Sequence, residues 1–200
     1  MKPSVVVFDI GGVLVNWQPH LAWMEEFRTR EAVDAFMERI DFASLNRRAD
    51  GGEAFADLAR ELPDPEDRRR LEGYVADFAR TVIERVPGTW GLVDRLRARG
   101  VPLHAITNWS AETWTEGLKA HPALGEIFGV AIVSGREQVQ KPELAIFELL
   151  SERAEVPASS CVFVDDSTVN VKGARSAGMD AIHFTGAQAL ESELAKRGLL

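Results

Sequence analysis

The 200-residue sequence has few cysteines, too few basic residues to balance its acidic ones, and no long apolar runs. Each shortage removes a class of protein. The one cysteine, Cys161, has no partner in the chain, which excludes an internal disulfide and fits a reducing compartment. Lys plus Arg number 23 against 31 Asp plus Glu, a net charge of −8. That balance argues against a duplex nucleic-acid binder, which needs a basic face to neutralise phosphates. It leaves room for a small anionic ligand, because local donors outweigh a distant net charge. No apolar run approaches the roughly 20 residues of a membrane span. The opening reaches Asp9 after Val5-Val6-Val7-Phe8, which is too short for the apolar region of a signal peptide. Internal repeats are absent as well. These exclusions point to a soluble, cytoplasmic protein with no nucleic-acid or membrane partner; a monomer or homodimer is expected, with nothing in the sequence to choose between them. Hydrophobic residues at 46% and charged residues at 27% are ordinary for a globular chain and exclude disordered, collagenous and coiled-coil classes.

What is present is a repeating alternation. Val5 to Phe8 is an apolar run without polar alternation, as in a strand buried on both faces. Similar runs follow at Val101–Ile106, Val130–Val133 and Ser160–Val164, with a weaker one at Ala181–Phe184. Helical spacing appears between them: Trp90–Arg97, a helix capped by Ser110, Glu143–Arg153, Val169–Ala177 and Ala187–Arg197. Gly100 and Gly178 suit positions just past helix ends. Strand and helix in alternation predict an α/β fold, a parallel sheet with helices on both faces. Ligands bind such sheets at the carboxyl ends of the strands. The residues there are Asp9, Thr107, Asn108, Asp165 and Asp166.

The stretch from about Trp17 to Arg85 breaks the pattern. It reads as helices at roughly 20–28, 31–40, 52–61 and 65–84, with Asp64-Pro65 as N-cap and first position. An insertion directly after a strand's carboxyl end sits over the ligand face, so residues 16–85 are expected to form a helical cap on a core of residues 1–15 and 86–200. Glu66 to Arg70 is expected to be a solvated face. Asn46 to Gly52 is expected to be a polar turn, either a connector or a loop facing the ligand, and Gly51-Gly52 could let the cap move.

Asp9, followed by Gly11-Gly12, lies where the backbone turns tightly. Asp165-Asp166 ends a second strand, and carboxylates converging from two strands repel unless a cation lies between them. Oxygen ligands with some water suit Mg²⁺. Thr107-Asn108 can offer a hydroxyl and backbone N–H groups to a phosphoryl oxygen, and Lys141 can neutralise its charge. Singly, each has a plain structural reading: a turn, a loop cap, a solvated lysine.

Together and in order, the segments Val7-Phe8-Asp9-Ile10-Gly11-Gly12-Val13-Leu14, Ile106-Thr107-Asn108, Lys141-Pro142-Glu143 and Val162-Phe163-Val164-Asp165-Asp166-Ser167-Thr168-Val169-Asn170 resemble the haloacid dehalogenase (HAD) superfamily over essentially the full chain. The resemblance implies a Rossmann-like core with a small α-helical cap and Mg²⁺ as cofactor. It implies Asp9 as nucleophile and Mg²⁺ ligand, the Gly11 carbonyl and Asp166 as further ligands, and Asp165 nearby. Thr107, Asn108, Lys141 and Gly12 would bind the phosphoryl group, and Asn170 would orient the fourth segment. The implied reaction is phosphatase action on a small phosphorylated metabolite through an aspartyl-phosphate on Asp9.

One position departs from the family pattern. Many phosphatases of this superfamily carry a second Asp two residues after the nucleophile as general acid and base, and Gly11 stands there instead. General acid–base assistance is worth about 10²–10⁴-fold. Three readings follow. The first is a phosphatase for good leaving groups, or one that borrows a proton carrier from the cap or substrate; the subgroup that this sequence resembles includes sugar-phosphate phosphatases. The second is a metal-independent 2-haloacid dehalogenase, which needs no proton for halide departure but does not keep paired carboxylates in the fourth segment. The third is a weakly active phosphate- or partner-binding protein. Asp165-Asp166 favours the first. Trp17, His20, Trp23, Asn46, Arg47, Arg48 and Asp50 lie in or near the cap and Trp109 follows Thr107-Asn108, so these are the residues that could choose a substrate. His20 could carry the missing proton, although a polar residue at a helix start is its plainer reading. His104 and Cys161 read as structural.

Overall fold

The computed structural model describes residues 3–200; Met1 and Lys2, at the start of the expected core, lie outside the described residues. Five strands, β1 (Val5–Phe8), β2 (Leu103–Thr107), β3 (Ala131–Val133), β4 (Cys161–Asp165) and β5 (Asp180–His183), form one sheet in the order β3-β2-β1-β4-β5. Every pairing is parallel. The apolar runs form strands because both faces are covered. Val6 and Phe8 of β1 point into one core with Leu92, Val93, Leu96, Leu190 and Leu194. Val5 and Val7 point into the other with Ile146, Phe147, Leu150, Val171 and Ala174. Each such side chain contributes roughly 1.5–3 kcal/mol through burial.

Counting from the five helices of the insertion, the core helices are α6 (Thr89–Ala98), α7 (Ala111–Ala120), the short α8 (Ser134–Glu137), α9 (Leu144–Arg153), α10 (Thr168–Ser176) and α11 (Ala187–Lys196). Ser110 caps α7, its side chain accepting from the Thr113 N–H at 3.1 Å. Gly100 and Gly178 take positive φ just past α6 and α10. The chain winds from β1 through β2 to β3, then crosses back to place β4 on the other side of β1. That reversal opens a crevice at the carboxyl ends of β1 and β4, where open α/β sheets bind ligands.

Between β1 and α6 lie α1 (Met24–Phe27), α2 (Arg30–Arg39), α3 (Phe42–Asp50), α4 (Phe55–Arg60) and α5 (Pro65–Asp77), with 3₁₀ turns at Pro19–Ala22 and Phe78–Val82. The Asp64 side chain caps α5, accepting from the Glu66 and Asp67 N–H groups. The insertion packs around the ring of Tyr74, with Trp23, Phe42 and Phe55 at 5.0, 5.0 and 5.1 Å. Phe78 joins this cluster to Trp109 of the core at 5.4 Å. The segment leaves and returns side by side: the Asn16 N–H donates to the Glu84 carbonyl at 2.8 Å and the Val86 N–H to the Leu14 carbonyl at 2.9 Å.

Three expectations are corrected here. Residues 46–50 are the C-terminal half of α3, not a turn; Phe42, Leu45 and Ala49 are buried at helical spacing, and the polar run masks that stripe. The turn itself is confined to Gly51-Gly52. The helix expected to run to residue 84 gives way at Phe78 to a 3₁₀ turn. The Glu66–Arg70 run is not simply solvated: Asp67 is buried and takes a two-pronged contact from Arg39 at 2.7 and 3.0 Å, while Arg70 reaches Asp67 and Glu26. Among the described residues, no helix is long and apolar enough to cross a membrane.

Candidate active site

Asp9 follows β1 directly, with its N–H still donating to the Val164 carbonyl of β4 at 2.8 Å. Its Oδ1 accepts from the Ile10 N–H at 2.7 Å and from Lys141 Nζ at 2.8 Å. Lys141 is buried and also donates to Asp165 Oδ2 at 2.8 Å, so one ammonium bridges carboxylates from two strands. Burial raises the Asp9 pKa, Lys141 opposes that shift, and Asp165 adds to it. Burial works against the charge on Lys141, but Asp9 and Asp165 outweigh it and hold the lysine above its ordinary value.

The two adjacent aspartates of β4 have different parts. Asp165 is fully buried and saturated: its oxygens accept from Lys141, from the Ser167 N–H at 2.7 Å and from Asn170 Nδ2 at 3.1 and 3.2 Å. Asp166 is exposed, and no described side chain donates to its carboxylate. Partial burial and the charge of Asp165 raise its pKa. Asp9, Asp165 and Asp166 each offer an oxygen within 4.8 Å of the others. Three carboxylates against one ammonium leave an excess of negative charge, and a hard divalent cation with oxygen ligands suits that set.

Asn108 closes on Lys141 from the other side. Its Nδ2 donates to the Lys141 carbonyl at 3.0 Å and its Oδ1 accepts from the Lys141 N–H at 2.9 Å. The Asn108 side chain thus holds the lysine's backbone. Thr107 ends β2, buried beside it. No described group donates to the Gly11 carbonyl. Gly12, expected among the phosphate contacts, lies against Asp166. Its N–H donates to the Val15 carbonyl at 2.9 Å, and a Cβ on it would meet Asp166 Oδ2 at 2.3 Å.

A cavity of about 90 Å³ opens beside Gly11, with apolar walls from Val15, Trp17, Phe78, Val82 and Trp109. Its polar residues are Asn46, Asp50, Asn108 and Thr113. A wider cavity of about 570 Å³ shares Gly11 and Trp17 and is bordered by Gly12, Glu84 and Asp166. The Trp109 indole N–H is buried without a partner. Asp50 was read as a turn residue, yet Asn46 Nδ2 donates to its Oδ2 at 3.0 Å across one turn of α3, and burial pushes its carboxyl up to about 7 against the Ser110 N–H and Lys141. The i, i+4 spacing of Asn46 and Asp50 was the signal for that pairing. His20 lies outside both cavities, where burial and then Arg30 lower its pKa, with Asp34 opposing. His104 Nδ1 accepts from the Val130 N–H at 2.9 Å and Cys161 is buried in β4, both structural as expected.

Residues 3–178 match the family model of haloacid dehalogenase-like hydrolases. The chain belongs to that family. A haloacid dehalogenase-like hydrolase of this length has well-covered relatives. It is 30% identical to Phosphatase MT3486 of Mycobacterium tuberculosis, over 90% of this chain and 87% of that one. It is 27% identical to the phosphoglycolate phosphatase of Pseudomonas putida, over 92% and 70%. The haloacid dehalogenase-like fold is shared with the HAD family enzyme BT-2542 of Bacteroides thetaiotaomicron, whose structure is a complex with magnesium and inorganic phosphate. The TM-score is 0.67 at 19% identity, covering 92% of this chain and 95% of that one.

Proposed function

We propose that this hydrolase is a Mg²⁺-dependent phosphatase acting on a small phosphorylated metabolite through an aspartyl-phosphate on Asp9. The observation that carries the reading is the division of labour between the two aspartates of β4: Asp165 is saturated by Lys141, Asn170 and the Ser167 N–H, while Asp166 stands free within reach of Asp9. A metal-independent dehalogenase has no use for a free third carboxylate there. The relatives named as phosphatases support the same reading.

In this reading Asp9, the Gly11 carbonyl and Asp166 hold the metal, and Asp165 and Asn170 support it. Mg²⁺, when bound, neutralises negative charge on the carboxylates and the transferring phosphoryl group. Lys141, Thr107 and the Asn108 backbone bind the phosphoryl oxygens, and Lys141 holds Asp9 Oδ1, which leaves Oδ2 to attack phosphorus. Gly12 serves by letting Asp166 come close. Residues 16–85 form the cap, consistent with the paired backbone at Asn16–Glu84 and Leu14–Val86. A single, buried cysteine fits the reducing cytoplasm.

The test is hydrolysis of p-nitrophenyl phosphate and acetyl phosphate with Mg²⁺ and with EDTA, beside 2-chloropropionate under both conditions. Phosphate release that EDTA abolishes is the expected result. Chloride release that survives EDTA would overturn the reading.

A further inference from the structure

We propose that Asp50, at the end of α3, is the proton-transfer residue of this site, serving first the leaving group and then the hydrolytic water in place of the side chain that Gly11 lacks. This rests on the phosphatase reading above and assigns the role that the first segment of the sequence leaves vacant.

Four observations carry it. Gly11 and Asp50 line the same cavity, and Asp50 is the one titratable side chain among the residues that line it. A Cβ built on Gly11 meets nothing within 4 Å, so the space beside Gly11, two residues after the nucleophile, is open to a group arriving from across the cavity. The carboxyl of Asp50 is positioned rather than loose, held by Asn46 Nδ2 at 3.0 Å. Its backbone is seated on the core: Ser134 Oγ donates to the Asp50 carbonyl at 2.6 Å, and Gln140 Nε2, next to Lys141, donates to the Arg47 carbonyl at 2.8 Å. The end of α3 is thereby fixed to the loop that carries the lysine. A carboxyl that titrates near neutrality suits both halves of the cycle.

The steps balance. In the first, an oxygen of Asp9 bonds to phosphorus, the bond from phosphorus to the ester oxygen breaks, and protonated Asp50 gives its proton to that oxygen; the products are the aspartyl-phosphate and an alcohol. In the second, water bonds to phosphorus while ionised Asp50 takes a proton from it. The bond between Asp9 and phosphorus breaks, inorganic phosphate leaves, and both aspartates return to their starting states.

The experiment compares two substrates of similar size, ethyl phosphate and acetyl phosphate, on the Mg²⁺-loaded wild type and on Asp50→Asn. Acetate needs no proton to leave; the ethanol oxygen does. In Asp50→Asn, kcat/KM for ethyl phosphate is expected to fall by about 10²–10⁴-fold. With acetyl phosphate the variant should still be phosphorylated, and acid quenching should trap the aspartyl-phosphate because its hydrolysis is slowed. Adding Gly11→Asp to Asp50→Asn should recover ethyl phosphate turnover at least tenfold, which also guards against a folding defect. Equal proportional losses on the two substrates with no trapped phosphoenzyme would overturn the proposal. So would unchanged turnover of ethyl phosphate. A wild type silent on both substrates would instead overturn the phosphatase reading, and this assignment with it.

Discussion

Gly12→Ala separates two things the site asks of that position. The first is backbone shape: Gly12 has φ of +72°, where a side chain costs about 1–2 kcal/mol. The second is space. A Cβ there would lie 2.3 Å from Asp166 Oδ2, against 3.4 Å for the onset of ordinary contact, so the carboxylate must retreat by about 1 Å. Asp166 is exposed and can swing outward, so the retreat adds little to the loss of stability. It matters greatly for a ligand, because metal–oxygen distances tolerate only about 0.2 Å. We therefore expect a modest fall in stability of about 1–2 kcal/mol, read as roughly 2–8 °C in a thermal melt. Mg²⁺ affinity, measured by titration calorimetry, should fall by about 10–100-fold, the range for disturbing a ligand's support. A folded Gly12→Ala protein that binds Mg²⁺ as tightly as the wild type would refute the placement of Asp166 in the metal site.

Asp9→Asn should keep the fold, since an amide oxygen can still accept from the Ile10 N–H, and should lose turnover by several orders of magnitude; wild-type rates would sink the nucleophile assignment. The narrow cavity holds Asp50 and no cationic side chain among its lining residues, so a leaving group bearing a carboxylate is disfavoured. Phosphoglycolate should therefore show a lower kcat/KM than ethyl phosphate, and the reverse order would contradict that charge argument. Asp67→Asn should cost about 1–2 kcal/mol by urea denaturation at pH 7, scaled down from a buried pair because Arg39 is half exposed. The Arg39 contact holds the Asp67 pKa below its ordinary value, so this stabilisation is present above about pH 3.9 and is lost as the pH falls through the folded-state value. The gap between wild type and variant should close as the pH falls through that lowered value, and a gap that is independent of pH would point to packing instead.

Much of the core was legible because burial on both faces of a parallel sheet leaves unbroken apolar runs, and the residues at their ends are then the ones facing the crevice. Asp9, Thr107, Asp165 and Asp166 were found in that way. The cap was harder. The apolar stripe of α3 is only Phe42, Leu45 and Ala49, and the polar residues from Asn46 to Asp50 overlay it with the composition of a turn. Seen as a turn, Asp50 had no fixed direction; on a helix, Asn46 and Ser134 fix it. The difference between Asp165 and Asp166 was likewise invisible in a dipeptide, because it depends on which of the two Lys141 and Asn170 reach across the fold. The neighbour that constrains Gly12, Asp166, is more than 150 residues away in the chain, so no local pattern announces it.

The paired backbone at the neck of the insertion, where residues 14–16 run beside 84–86, bears on how such an enzyme can change. Closing a flexible loop of about 70 residues opposes folding by roughly 4 kcal/mol, but each doubling of its length adds only about 0.6 kcal/mol. The neck bears the closure once, whatever lies beyond it. A segment that supplies Trp17, Asn46 and Asp50 to one cavity can therefore lengthen, shorten or be replaced with little entropic consequence for the core that carries Asp9 and Lys141. In the proposed reading, substrate choice and proton transfer sit on the insertion and the nucleophile on the core, so the two can drift separately as long as Asp50 keeps its place and the two short crossings stay side by side.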